Sequence, residues 1–221
     1  MNFIIKDINQ IKKISIIDKI TLLIYSLIPV FLIIGTSVSE LAIIILSLKF
    51  VLDFLFFKKV RLYNKELFYF LMMIYLALLI NLIFSVNQEN SFLRNFFFIK
   101  YIIFLIGTVD FFSKKKVEFF LVLKFWTFIL LIFSFDLFIQ FITQKNLIGL
   151  ESPLKYHRLS GFMGDELKAG ALLLSFCFIV SGYFVNNGKY KFIRLILLFF
   201  FVLTIFLTGD RSNFLKSIIV T

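Results

Sequence analysis

Arg158 and Arg211 are the residues best suited to chemistry, because each stands in a polar stretch between long apolar runs. A guanidinium stays charged at any relevant pH and presents a planar fork that matches phosphate oxygens. Around Arg158, the segment TQKNLIGLESPLKYHRLSGFMGDELKAGALL is the longest polar stretch between apolar runs, and Gly149, Pro153, Gly161 and Gly164 supply turns within it. Around Arg211, FLTGDRSNFLK reads as a helix end, a tight turn at Gly209 and a new helix capped by Asp210 or Ser212. Free N–H groups at a helix start attract anions, so Arg211 beside them makes a seat for phosphate or diphosphate.

Other candidates cluster nearby. Asp136 and Gln140 lie four residues apart in IFSFDLFIQFITQ and so share one helix face, which is expected to point to a wet pocket or another helix. Asp165 or Glu166 stands where the next apolar run starts and reads as a helix cap. His157, the single histidine, precedes Arg158 and could act as a base or simply lie in an interfacial loop. Cys177 is the only cysteine, which excludes an intramolecular disulfide and a cysteine metal cluster, and it reads as a small packing residue. No GxGxxG, Walker, HExxH or GxSxG pattern occurs, so soluble nucleotide, zinc-protease and serine-hydrolase chemistries have no support.

The elements that must position these residues are membrane helices. Of the 221 residues, 61% are hydrophobic, enough for six or seven crossings at about 20 residues each. Mean hydropathy is +0.99, and runs such as LFYFLMMIYLALLINLIF exceed anything a soluble core could hide. Sliding windows place crossings near 20–35, 41–57, 67–86, 96–112, 118–142, 167–185 and 192–208, with another helix beginning near 213. Strands of a membrane barrel would alternate in polarity, so the expected fold is all-α, a single polytopic helical membrane domain over residues 1–221. The charged lead-in to the first run has no small-residue cleavage site after it, which argues for an uncleaved first span.

The net charge of +11 alone would fit a nucleic-acid partner, but the basic residues sit in short clusters between apolar runs, as in cytoplasmic loops. Fourteen of the 24 Lys and Arg fall on the N-terminal side of the membrane and seven on the other, which places the N-terminus in the cytoplasm. Three lysines lie within apolar runs: Lys49, which can pair with Asp53 at i+4, and Lys100 and Lys124, which can snorkel. Two crossings separate Arg158 from Arg211, so both face the same side whatever the orientation. The 34 Phe residues have a sufficient explanation in AT-rich codon usage.

The chain ends in RSNFLKSIIVT, too short to cross a core of roughly 30 Å, and is expected to be the N-terminal portion of a longer protein.

The segments DLFIQFITQKNLIGL, HRLSGFMGDELKAGALLLS and FLTGDRSNF, spanning about 136–214, resemble the O-antigen ligase and polymerase family. The resemblance implies a transferase that moves a glycan from a polyprenyl diphosphate carrier to a hydroxyl on a lipid-linked or surface acceptor. It places the reaction outside the bacterial cytoplasmic membrane, without metal or other cofactor, and serves polysaccharide or lipopolysaccharide biosynthesis. Arg158 and Arg211 match the arginines thought to hold the diphosphate, and Asp136, Gln140, Gly161, Asp165, Glu166 and Asp210 would line or orient that site. The family's outer loop with its presumed catalytic histidine would lie downstream of residue 221. A transporter or flippase of lipid-linked glycans would also use such arginines, and a non-catalytic fragment is the third reading; the chain lacks the paired Gly/Pro-interrupted half-repeats of many transporters.

Overall fold

A computed structural model of the chain describes residues 15–56, 65–85, 88–113, 115–152, 154, 158–185 and 191–220. Among them the architecture is all helical: α1 (Ile16–Ile34), α2 (Thr36–Leu55), α3 (Lys65–Ile83), α4 (Gln88–Phe96), α5 (Ile99–Ser113), α6 (Lys116–Thr143), α7 (Ala169–Val185), α8 (Lys191–Leu207) and α9 (Arg211–Val220), with a 3-10 turn at Gly161–Met163. Four stretches are long and apolar enough to cross a membrane: Ile16–Ile34, Lys65–Ile83, Ser91–Ser113 and Val117–Thr143. Ala169–Val180 and Leu195–Leu207 are shorter apolar helices. The chain is an all-helical membrane protein, with large apolar side chains such as Phe70, Phe128 and Phe199 turned outward, where lipid replaces water.

Among the described residues these four account for part of the seven complete crossings expected. The 20 residues of α2 are apolar but carry three charged side chains, Glu40, Lys49 and Asp53, and the described apolar parts of α7 and α8 are short. Two boundaries also differ from the windows. The outer segment expected at 35–40 is reduced to Gly35, because Thr36 already begins a helix. The stretch after residue 87, expected as a loop, forms α4, whose Phe92 and Phe96 fall at i,i+4 and stack at 5.5 Å.

The chain divides into two units, Met1–Val38 with Phe120–Thr221, and Ser39–Phe119. In the first, α6, α7 and α8 enclose a core of Leu130, Phe133, Leu137, Leu173, Phe201 and Ile205, and Cys177 is fully buried within it. Ser15 opens α1 by accepting the Asp18 N–H at 3.2 Å. Pro29, inside α1, has no N–H to give to the carbonyl four residues earlier, that of Tyr25. Trp126 Nε1 donates to that carbonyl at 2.9 Å, and the Trp126 ring packs edge-on against Phe176 at 5.0 Å.

In the second unit, Lys49 pairs with Asp53 at 2.7 Å, as their spacing anticipated. Lys100 meets Glu40 at 2.7 Å, and the Tyr101 hydroxyl donates to the same carboxylate at 3.1 Å. Between α4 and α5 the backbone tightens to three-residue hydrogen bonds, Phe98 N–H to Asn95 and Lys100 N–H to Phe97, both at 3.3 Å. The Tyr75 hydroxyl donates to the Phe96 carbonyl there at 3.3 Å. Gly107 allows α2 to approach α5, since a Cβ would stand 2.9 Å from the Phe50 Cβ.

Replacing Trp126 with Phe removes the indole donor to the Tyr25 carbonyl and is predicted to cost about 1–3 kcal/mol, read as a lower melting temperature in detergent. Pro29→Ala restores the N–H that this carbonyl lacks, so Trp126→Phe should cost clearly less in that background; equal costs in both backgrounds would refute the coupling.

Candidate functional site

The polar stretch after α6 folds back onto the end of that helix. Gln144 takes a left-handed conformation (φ 63°) that turns the chain, and Lys145 and Glu151 face each other as an isolated bridge with a 3.4 Å ion pair. Asn146 organises the turn: its Oδ1 accepts the N–H groups of Ile148 at 3.1 Å and Leu150 at 2.7 Å, while Nδ2 donates to the Gly161 carbonyl at 2.9 Å. Asn followed three residues later by Gly is a turn signature, visible in NLIG, and adds Asn146 to the turn expected at Gly149.

Asp136 and Gln140 hold this loop from below. Asp136 Oδ1 accepts the Leu147 N–H at 2.8 Å, and Gln140 Oε1 accepts the N–H groups of Ser160 at 3.1 Å and Gly161 at 2.8 Å. Both side chains have 0% exposure. The shared face anticipated from their spacing is there, and among the described residues it meets the backbone of the loop. The physical reason is that N–H groups of a loop over an apolar helix end need acceptors, and these two side chains supply them. Gly161 (φ 56°) sits against the pair so closely that a Cβ would stand 2.9 Å from Asp136 Oδ2.

The loop then carries Arg158 to the turn between α8 and α9. The Leu159 N–H donates to the Thr208 carbonyl at 3.2 Å, and the Ser152 hydroxyl donates to the Arg158 carbonyl. With its backbone stitched at both points, the Arg158 guanidinium reaches the Leu167 carbonyl at 3.3 Å and Asp210 Oδ2 at 3.4 Å. Asp210 is the cap of α9, which settles the choice between it and Ser212: Oδ1 accepts the Asn213 N–H at 3.4 Å, and Oδ2 accepts from Asn213 Nδ2 at 2.6 Å. Gly209 supplies the left-handed step before it (φ 73°), and Gly170 of α7 packs so tightly there that a Cβ would stand 2.8 Å from Thr208 Oγ1.

Arg211, next in the chain, is the first residue of α9, and its exposed guanidinium makes no ion pair with a described residue. Arg158, Asp210 and Arg211 together carry a net charge of +1, from two segments 53 residues apart in sequence. Arg158 thus touches Asp210, the chain neighbour of Arg211.

The acidic pair behaves otherwise than expected. α7 begins at Ala169, with no acidic residue in its first turn, so neither Asp165 nor Glu166 caps it. The Glu166 N–H bonds the Met163 carbonyl at 3.2 Å, which holds these residues in the turn before the helix. Glu166 pairs with Lys168 at 3.1 Å and Asp165 is exposed, leaving Asp210 as the acidic residue that engages Arg158. Glu166 and Lys168 stand at an open groove of about 200 Å³ whose walls include Leu32, Met163, Leu172 and Phe176. His157 lies outside the described residues. Among the described residues no three His, Cys, Asp or Glu side chains are grouped to hold a metal ion.

Gly161→Ala is predicted to destabilise the protein by about 2 kcal/mol or more, from the left-handed backbone and the clash with Asp136 together. Gly149 (φ 89°) has nothing within 4 Å of a would-be Cβ, so Gly149→Ala should cost only the backbone part. Thermal melts of the two variants compare these costs, and equal losses would refute the packing role of Gly161. Compared with known protein families, curated proteins and solved structures, the chain matches none of them.

Proposed function

We propose that the chain is the donor-binding portion of a membrane-embedded glycan transferase of the O-antigen ligase or polymerase kind, with seven crossings and a cytoplasmic N-terminus in the bacterial cytoplasmic membrane. The observation that supports it is the 3.4 Å contact between Arg158 and Asp210, which joins the HRLSGFMGDE loop to the TGDR turn. On this reading the donor is a glycan on a polyprenyl diphosphate. A hydroxyl of the lipid-linked or surface acceptor attacks the anomeric carbon, the bond from that carbon to the diphosphate oxygen breaks, and the acceptor oxygen loses its proton.

Negative charge grows on the departing diphosphate, and the two arginines answer it. Arg158 spends part of its five-donor fork on Leu167 and Asp210, which fixes its orientation, and its side chain is 36% exposed, with donors left over for an anion. Arg211 adds an exposed cation at the start of α9, where the leading N–H groups favour an anion. Fixed donors aimed at developing charge stabilise a transition state without reorganising at the moment of reaction. Asp136, Gln140 and Gly161 shape the loop that carries Arg158, and Asp210 orients Arg158 rather than taking a proton.

The test uses native-length protein in membranes supplied with polyprenyl diphosphate-linked glycan. Arg211→Ala, which breaks no side-chain hydrogen bond or ion pair among the described residues, is expected to lower glycan transfer about 100-fold or more while melting unchanged. Arg158→Lys, which keeps the charge and loses the fork, should fall between the wild type and Arg158→Ala. Transfer at the normal rate in Arg211→Ala and Arg158→Ala would overturn the proposal. Loss of donor translocation with transfer intact would identify a transporter instead.

A further inference from the structure

Three polar atoms beside the Ser160–Gly161 peptide are buried without a hydrogen-bond partner among the described residues: Asp136 Oδ2, Gln140 Nε2 and Ser160 Oγ. All three residues have 0% exposure, and an unsatisfied buried polar group costs about 1–3 kcal/mol. Asp136 also makes no ion pair with a described residue. Ser134 Oγ is a fourth such atom, but two residues before Asp136 it points from another face of α6.

The pins already described bring the three together. Gln140 Oε1 takes the N–H groups of Ser160 and Gly161, so the amide cannot flip and its Nε2 must be the free end. Asp136 Oδ1 takes the Leu147 N–H, so Oδ2 is the free end there, and it lies against Gly161. The Phe162 N–H also lies toward this carboxylate, outside hydrogen-bond geometry. Residues at i,i+4 on a helix are near enough for their side chains to meet, yet Oδ2 and Nε2 do not bond each other.

We infer that these atoms form a site for a single buried water molecule, which accepts from Gln140 Nε2 and donates to Asp136 Oδ2 and Ser160 Oγ. The match of donors and acceptors selects water. The set contains one obligate acceptor, one obligate donor and one hydroxyl able to do either, and buried waters typically make about three hydrogen bonds. A metal ion would face the hydrogens of an amide whose orientation is fixed. Ser160 is two residues from Arg158, so the water joins α6 to the limb of the loop that carries the arginine, and the site stands whether or not the chain transfers glycans.

The decisive measurement is an experimental structure of the protein in lipid at a resolution that shows ordered water. A peak within about 2.6–3.2 Å of both Oδ2 and Nε2 supports the site. A direct bond between Oδ2 and Nε2, or no peak between them, overturns it. Ser160→Ala keeps the backbone N–H that Gln140 needs and removes one partner of the water, so melting should fall by a few degrees; an unchanged melt removes Ser160 from the site. Replacing Na⁺ by choline should leave the melt unchanged, and a sodium-dependent rise would overturn water in favour of a cation.

Discussion

In hydrocarbon no solvent waits to satisfy a backbone group that a helix lets go, and at three interruptions among the described residues particular side chains do so. Pro29 frees the Tyr25 carbonyl and Trp126 takes it. At the break between α4 and α5, the Tyr75 hydroxyl takes the Phe96 carbonyl, and in the first turn of α5 the Ser47 hydroxyl donates to the Lys100 carbonyl at 3.0 Å. Beyond α6, Asp136 and Gln140 accept three loop N–H groups between them. Lipid gives apolar side chains little reason to prefer one another, so these donors and acceptors, with close packing at glycines, do much of the work of fixing one arrangement.

The candidate site inherits its order from the same rule. Arg158 is aimed because its own carbonyl, the Leu159 N–H and the Gly161 N–H are all engaged by other parts of the protein. Asp210 serves two partners, as helix cap for α9 and as counter-ion for Arg158. A single carboxylate thereby couples the geometry of the loop to that of the turn, at the expense of half the positive charge the two arginines would otherwise offer an anion.

Local spacing made some of this legible in the sequence. The Lys49–Asp53 pair follows from i,i+4 geometry, and the apolar runs mark where helices form. Asp136 and Gln140 were legible as one face, but what that face touches depends on Leu147 and on Ser160, up to 24 residues from Asp136, and on a turn set by Asn146. Glu40 and Lys100 are 60 residues apart, and each looks like a stray charge until the helices pack. The acidic pair at 165–166 misled because an acidic residue near an apolar run looks like a cap, whereas Leu167 and Lys168 still intervene before α7 starts. For Asp136, Gln140, Glu40 and Lys100 the missing information was a long-range contact.

The turn at Thr208–Gly209–Asp210 also has a bearing on how the protein is made. Leu159 and Arg158 find their partners in residues synthesised about fifty positions later, after α7 and α8 have both emerged. At roughly 5–20 residues per second the loop waits on the order of 3–10 s for that turn. During that interval Asp136 and Gln140 are the anchors already made, so the two polar residues in the apolar helix give the nascent chain its first hold on a loop whose final fastening has yet to leave the ribosome.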